Sequence, residues 1–133
     1  MASISQTVSF AASPHELYNA LMDSKLHTEF SGSEAKIGRS VGDEFSTFDG
    51  WVVGKNVELV KDKKIIQTWH PDMEHWPADH DSTVTFQFEQ LPDGKTKLHF
   101  THTEIPPEYV EELRTGWNEN YWEPLKQMFP GKK

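Results

Sequence analysis

The fold of this chain is decided by residues 110–129, which read VEELRTGWNENYWEPLKQMF. Large apolar side chains recur in this segment at steps of three and four residues, the spacing that places them on one face of an α-helix: Val110, Leu113, Trp117, Tyr121, Leu125 and Met128. Trp122 and Phe129 widen this apolar stripe. So much apolar area needs a broad partner, and we expect that partner to be a β-sheet.

Prolines mark the limits of this helix and one irregularity inside it. Pro106-Pro107 is typical of a helix start, since proline is tolerated in the first turn, and Pro130-Gly131 is typical of a helix end. Pro124 lies within the stripe, where it removes a backbone donor and crowds the carbonyl group four residues earlier. Because the stripe continues through Leu125 and Met128, we predict a kink at Pro124 and not a stop.

The residues before this helix predict a sheet and two short helices. Residues 3–11 alternate between apolar and polar side chains and predict a first strand, with Gln6 as the exception on its apolar face. Ser13-Pro14-His15-Glu16 has the form of a capping box that opens a helix, and Asp23-Ser24 offers a second cap. Residues 34–104 read as strands joined by tight turns, which predicts about six antiparallel strands.

Length and composition narrow the classes of protein. A length of 133 residues predicts a single domain over residues 1–133. The order of elements predicts an α+β fold, in which a curved antiparallel sheet of six to seven strands surrounds the long C-terminal helix and two short helices follow the first strand. The formal net charge of −8 argues against nucleic acid as a partner, and no apolar run is long enough to span a membrane. There are no cysteines, which excludes a thiolate nucleophile and cysteine-ligated metal sites. With an N-terminus that lacks the pattern of a secretory signal, this predicts a cytoplasmic location.

Alternation along the strands predicts which side chains face the long helix. In the fourth predicted strand this face carries Trp51, Val53, Val57 and Leu59, with Gly54 at a bend or bulge. In the last two strands it carries Val84, Phe86, Phe88, Leu98, Phe100 and His102. A twisted sheet around one helix leaves a hollow wherever side chains do not fill its curvature, and such hollows are usual sites for apolar ligands.

Three histidines and three tryptophans suggest binding sites, each with a simpler alternative. His70, His75 and His80 lie five residues apart among carboxylates, but this is not a recognised zinc spacing, so we predict a polar loop and no metal. An aromatic ligand cage could be formed by Trp69, Trp76 and Trp117. The alternative is core packing for Trp117 and a loop anchor for Trp76.

His102 and Asp49 suggest acid–base chemistry. His102 is predicted on an apolar face with Glu104 following on the same side, which is an arrangement for a general base. The alternative is a histidine satisfied in the core, bonded to the backbone or to a tyrosine such as Tyr121. Asp49, before Gly50, is more typical of a turn than of a catalytic acid. No nucleophile or oxyanion-hole motif accompanies these residues, so we predict no catalytic residue.

Several motifs in this sequence resemble those of one known family. In chain order they are Ser13-Pro14-x-Glu16-Leu17-Tyr18, Phe45-Ser46-x-Phe48-Asp49-Gly50, Gly54-x-Asn56-x-Glu58-Leu59, Ile66-x-x-Trp69, Trp76-Pro77-x-x-His80-x-Ser82-x-Val84-Thr85, Thr101-His102-Thr103-x-Ile105-Pro106 and Gly116-Trp117-x-x-x-Tyr121-Trp122-x-x-Leu125. Together they cover nearly the whole chain. Through them the chain resembles the family named after the C-terminal domain of the activator of the Hsp90 ATPase, within the Bet v 1-like, START-related (SRPBCC) superfamily.

The resemblance implies a helix-grip fold, in which a curved sheet holds one long helix. In the eukaryotic co-chaperones of this family a separate N-terminal domain precedes this one and makes much of the Hsp90 contact, so the resemblance reaches only their C-terminal domain. Stand-alone members resemble small bacterial proteins. The wider superfamily binds lipids, sterols, hormones and polyketides, and none of its catalytic sets is recognisable in this sequence.

Three functional hypotheses follow, and none requires a cofactor. The first is a module that binds a small apolar or amphipathic ligand between helix and sheet, through Trp51, Val53, Phe86, Phe100, His102, Trp117 and Tyr121. The second is a stress-response co-chaperone that binds an Hsp90-type ATPase through its surface and stimulates it. The third is an enzyme that works on an apolar substrate through His102 and Glu104.

Overall fold

Seven antiparallel strands form one curved sheet in the computed structural model, which describes residues 1–130. They are β1 Ala2–Phe10, β2 Lys36–Ile37, β3 Glu44–Thr47, β4 Val52–Val60, β5 Lys64–Pro71, β6 Ser82–Gln90 and β7 Thr96–Ile105. Their order across the sheet is β1-β7-β6-β5-β4-β3-β2, so β2 to β7 form a meander and β1 pairs with β7. The predicted antiparallel sheet is confirmed.

Two short helices follow β1, as the capping signals predicted: α1 Pro14–Met22 and α2 Ser24–Ser31. The capping box is complete, since the Ser13 hydroxyl accepts the N–H of Glu16 at 3.1 Å and the Glu16 carboxylate accepts the N–H of Ser13 at 3.0 Å. Asp23 caps α2 with its side chain. The helices therefore start where local sequence satisfies their free N–H groups.

The C-terminal helix, residues 110–128, consists of three consecutive parts: α3 Val110–Trp117, a π-helical turn at Asn118–Trp122 and α4 Glu123–Met128. The N–H of Glu123 donates to the carbonyl of Asn118, five residues back, which widens the helix just before Pro124. The helix therefore continues through Pro124, as predicted, and its irregularity takes the form of a π turn. Gly131, in the predicted stop signal, lies outside the described residues.

Aromatic rings fill the centre between this helix and the sheet. Phe100 of β7 contacts Trp117 and Trp122, with ring centroids 4.4 Å and 5.1 Å apart, and the two indoles stack at 5.7 Å. Phe86 of β6 adds a fourth ring, 5.3 Å from Phe100. The helix-grip fold is confirmed, but its centre is packed with side chains and no large hollow remains there.

The prediction of which β4 side chains face inward was wrong for Val53 and Val57. Val52 and Asn56 are buried, whereas Val53 and Val57 are 45% and 50% exposed on the outer face. Trp51 lies in the turn before β4, so the alternation begins at Val52 and the inner side chains are one residue out of step with the prediction. Asn56 belongs inside because its amide donates to the carbonyl groups of two loop residues, Gly38 and Ser40, at 2.7 Å and 3.1 Å.

Gly54 has a different role from the predicted bend. The irregular pairing of β4 lies between Asn56 and Glu58, and it returns Leu59 to the core side of the sheet. At Gly54 itself an added Cβ would lie 2.0 Å from the carbonyl oxygen of Thr68 on β5. Only glycine permits this approach of the two strands.

Candidate functional site: an aromatic cleft beside the C-terminal helix

A cleft of about 430 Å³ opens between the C-terminal helix and the turn that joins β3 to β4. Its aromatic walls come from three parts of the chain: Phe48, Trp51, Trp69, Trp117 and Tyr121. The rings form a connected set, with centroids 6.0 Å apart for Trp51 and Trp69 and 5.6 Å apart for Trp69 and Trp117. A volume of this size with mainly apolar walls is typical of sites for small molecules.

The β3–β4 turn holds two of these rings in place. Phe48, Asp49 and Gly50 all have left-handed backbones, with φ of 54°, 59° and 88°. This conformation is uncommon for a bulky residue, and Phe48 lies in the turn directly after β3. The Asp49 carboxylate accepts the N–H of Glu34 at 2.8 Å, and the N–H of Asp49 donates to the carbonyl of Glu34 at 3.0 Å. Asp49 thus anchors the turn, the interpretation that its sequence favoured.

The opposite wall comes from the C-terminal helix. Trp117 and Tyr121 lie four residues apart, on successive turns of one face, with ring centroids 4.4 Å apart. The rim is polar, and its side chains are Glu112, Thr115, Glu119 and Asn120. The cleft therefore has a buried aromatic floor and a polar, acidic opening toward solvent.

His102 lies behind the cleft and is linked by hydrogen bonds to two residues of its walls, Trp117 and Trp69. The indole N–H of Trp117 donates to Nδ1 of His102 at 3.0 Å. Since an indole can only donate, Nδ1 carries no proton, and the proton on Nε2 is donated to the Ser82 hydroxyl at 2.6 Å. Ser82 donates in turn to the carbonyl of Trp69 at 3.1 Å. Burial lowers the pKa of His102 to about 3, which keeps the ring neutral and the chain of donors intact.

The predicted pair of His102 and Glu104 does not form. An extra residue in β7, opposite Ala2–Ile4 of β1, breaks the alternation, and Glu104 is exposed with a φ of 61°. Both ring nitrogens of His102 are engaged by Trp117 and Ser82, so the ring has no free nitrogen for a substrate proton. The geometry gives no support to a general base at this position.

Tyr121 bonds to a histidine that sequence reasoning missed. Its hydroxyl lies 3.2 Å from Nε2 of His27, which is buried in α2 against the ring of Phe30. Burial lowers the pKa of His27 to about 4 and raises the pKa of Tyr121. The available signal was the three-residue spacing of His27 and Phe30, which places both on the buried face of α2.

His70, near the end of β5, and Trp76, in the loop before β6, hold this loop in place. Nδ1 of His70 lies 3.0 Å from the Asp81 carboxylate and from the carbonyl oxygen of His80. The indole of Trp76 donates to the same carbonyl at 2.7 Å, so Trp76 anchors the loop and does not line the cleft. Within residues 1–130, no group of three or more ligating side chains comes together as a metal site would require.

The seven predicted ligand residues fall into three groups. Trp51, Trp117 and Tyr121 line the cleft. Phe86, Phe100 and His102 are buried behind it, and Phe86 borders a void of about 10 Å³, which holds at most one water molecule. Val53 points away from the cleft, on the outer face of the sheet. The site therefore lies beside the helix and not at the centre of the grip.

A curved antiparallel sheet around one long helix, with an aromatic cleft at its side, defines a helix-grip protein. Residues 11–130 match the family described as Activator of Hsp90 ATPase homolog 1-like protein, and the chain belongs to this family. The family was predicted from the sequence motifs, and the match confirms it. Within residues 1–130, none of the helices has both the length and the apolar character of a membrane span.

Individual relatives carry related names. The human activator of 90 kDa heat shock protein ATPase homolog 1 is 33% identical over 120 residues, which make up 90% of this chain and 35% of the relative. This chain thus spans about a third of the length of the curated relatives it matches. The crystal structure of an HSP90 activator from Plasmodium falciparum matches with a TM-score of 0.89 and 31% identity, over 99% of this chain and 100% of that chain. The Aha1 dimer from Colwellia psychrerythraea has the same fold, with a TM-score of 0.81 at 20% identity over the full length of both chains.

Proposed function

We propose that this chain binds an Hsp90-type chaperone and stimulates its ATPase activity, as a cytoplasmic co-chaperone of the stress response. The observation that carries this proposal is the match to the Plasmodium falciparum HSP90 activator, which extends over the whole of that solved chain. The match covers 99% of this chain and 100% of that chain, so the likeness extends over both chains and is not confined to one segment. The absence of cysteines suits a reducing compartment.

An exposed apolar stripe on β4 offers a surface for this partner. Val53, Val57 and Val60 are 45%, 50% and 40% exposed on the outer strand face, and Trp51, at 37%, lies just before the strand. Apolar side chains that face solvent in a row are a common feature of protein interfaces. The ligand role predicted for Val53 is thereby replaced by a proposed partner contact.

Titration calorimetry and ATPase assays with the cognate chaperone test this function. We expect heat of binding and a faster ATPase, and we expect Val53→Thr/Val57→Thr to weaken both, since threonine keeps the branched shape and removes apolar surface. Val41→Thr, which changes an exposed valine outside β4, is the matched control. If the unmodified chain gives neither heat nor a change in ATPase rate, the co-chaperone function is wrong.

The aromatic cleft favours a second candidate function, the binding of a small apolar or amphipathic molecule. Its volume of about 430 Å³ and its five aromatic rings support this candidate, since small-molecule sites are concave and mainly apolar. An apolar fluorescent probe should bind the native protein and quench its tryptophan emission, and Trp51→Leu should weaken that binding. Val53→Thr should leave it unchanged, because Val53 lies on the other face of the sheet. Probe binding that ignores Trp51→Leu would remove the cleft as the site.

A further inference from the structure

The charged side chains that line the aromatic cleft, Glu112 and Glu119, have the same sign. Glu112 and Glu119 are exposed on its rim, seven residues or about 10 Å apart along the helix. Among the described residues, no lysine, arginine or histidine lines the cleft. A charged ligand group at this opening therefore meets two carboxylates and no compensating cation.

The walls of the cleft favour the same sign of ligand charge. Three of its rings are indoles, Trp51, Trp69 and Trp117, and the negative face of an indole attracts cations more strongly than the face of phenylalanine or tyrosine. Trp51 is 37% exposed at the opening, whereas Trp69 and Trp117 are buried deeper. An apolar body can thus enter the cleft toward Trp69 and Trp117 while an attached cation stays at the opening, which Trp51 and the two carboxylates line.

We infer that the ligand of this cleft is a small organic cation, an alkyl- or arylammonium with an apolar body. The inference rests on the second candidate function, ligand binding in the cleft, and names its ligand class. A fatty acid or another anionic amphiphile is disfavoured, because its head group would lie close to Glu112 and Glu119 without a basic partner. A neutral amphiphile gains the apolar contacts alone.

Three probes with the same ten-carbon tail separate these cases: decyltrimethylammonium, decanol and decanoate, each below its micelle concentration. They are titrated into the full chain at pH 7 while tryptophan fluorescence and the indole N–H signals in NMR spectra are recorded. We expect the cation to bind about tenfold more tightly than decanol, since a cation–aromatic contact and nearby carboxylates each contribute on this scale. Decanoate should bind more weakly than decanol.

Charge-matched variants test the role of the rim. Glu112→Gln/Glu119→Gln should weaken binding of the cation about five- to tenfold and leave decanol unchanged. Glu108→Gln/Glu123→Gln has the same net charge but alters exposed carboxylates outside the cleft, so its effect should stay below about twofold.

The outcomes distinguish this inference from the function on which it rests. If decanol binds but decanoate binds as tightly as the cation, or if the control pair weakens the cation as much as the rim pair, the cationic ligand is wrong and the ligand-binding function stands. If none of the three probes changes the tryptophan signals, both are wrong.

Discussion

At the scale of single residues, two buried histidines link the cleft to the pH of the solution. His102 receives the indole N–H of Trp117, and His27 bonds to Tyr121, so each ring supports one wall of the cleft. Both histidines have pKa values far below the ordinary value of 6.5, at about 3 and about 4, because burial disfavours the charged form. As the pH falls, these two histidines therefore become protonated in the unfolded chain before they do so in the folded protein.

Acid should consequently begin to destabilise this protein at pH values well above the pKa of its carboxylates. The sign follows from the depressed pKa values: the contribution of each histidine is complete above pH 6.5 and is lost as the pH falls toward its folded-state pKa, about 4 for His27 and about 3 for His102. At pH 5 we expect each histidine to cost about 2 kcal/mol of the free energy of unfolding relative to pH 7.5. Urea denaturation at the two pH values measures this difference.

Two variants isolate the histidine contribution from that of the carboxylates. His27→Phe, in a pocket already formed by Phe30 and Phe48, should reduce the loss between pH 7.5 and pH 5 by about 2 kcal/mol. His75→Gln changes a histidine whose side chain is 80% exposed and should leave the loss as it was. If His27→Phe leaves the pH dependence unaltered, burial does not keep His27 neutral in the folded protein, and this prediction is wrong.

At the scale of elements, two glycines should respond to alanine with opposite signs. In Gly54→Ala the new Cβ would lie 2.0 Å from the Thr68 carbonyl oxygen and 2.7 Å from the Phe45 ring, so β4 and β5 must separate. We expect a loss of about 2–3 kcal/mol in the free energy of unfolding. In Gly116→Ala the nearest atom is 3.7 Å away and the site is helical, so a gain of about 0.5–1 kcal/mol is expected. Chemical denaturation measures both, and a neutral Gly54→Ala would contradict the close approach.

The elements also mark what could be read from the sequence. The C-terminal helix, β6 and β7 were predictable because one periodic face of each is buried and mainly apolar. The inner face of β4 was not, since valines occupy both faces and the buried position belongs to Asn56, whose partners are loop carbonyls distant in the sequence. Likewise, Phe48 reaches the cleft through a left-handed backbone that its residue type disfavours. Alternation alone contains neither piece of information.

At the scale of the whole molecule, a partly buried hydrogen bond joins the two ends of the fold, β1 and the C-terminal helix. The indole N–H of Trp122 donates to Oε1 of Gln6 at 2.8 Å, across 116 residues of sequence. This explains why a polar residue interrupts the apolar face of β1. It also ties the edge strand of the sheet to the C-terminal helix, which lines the cleft on its other side.

A double-mutant cycle measures how strongly these ends are coupled. Gln6→Leu leaves the Trp122 N–H without its acceptor and should cost about 1–3 kcal/mol in the free energy of unfolding. Trp122→Phe removes the donor and some packing, and in the double variant neither polar group remains, so the combined loss should fall short of the sum by about 1 kcal/mol. Gln6→Leu combined with Trp76→Phe is the control, because Trp76 donates to His80 and shares no partner with Gln6, and these losses should add within about 0.5 kcal/mol. Equal additivity in both cycles would mean that the chain ends are held together by apolar packing alone.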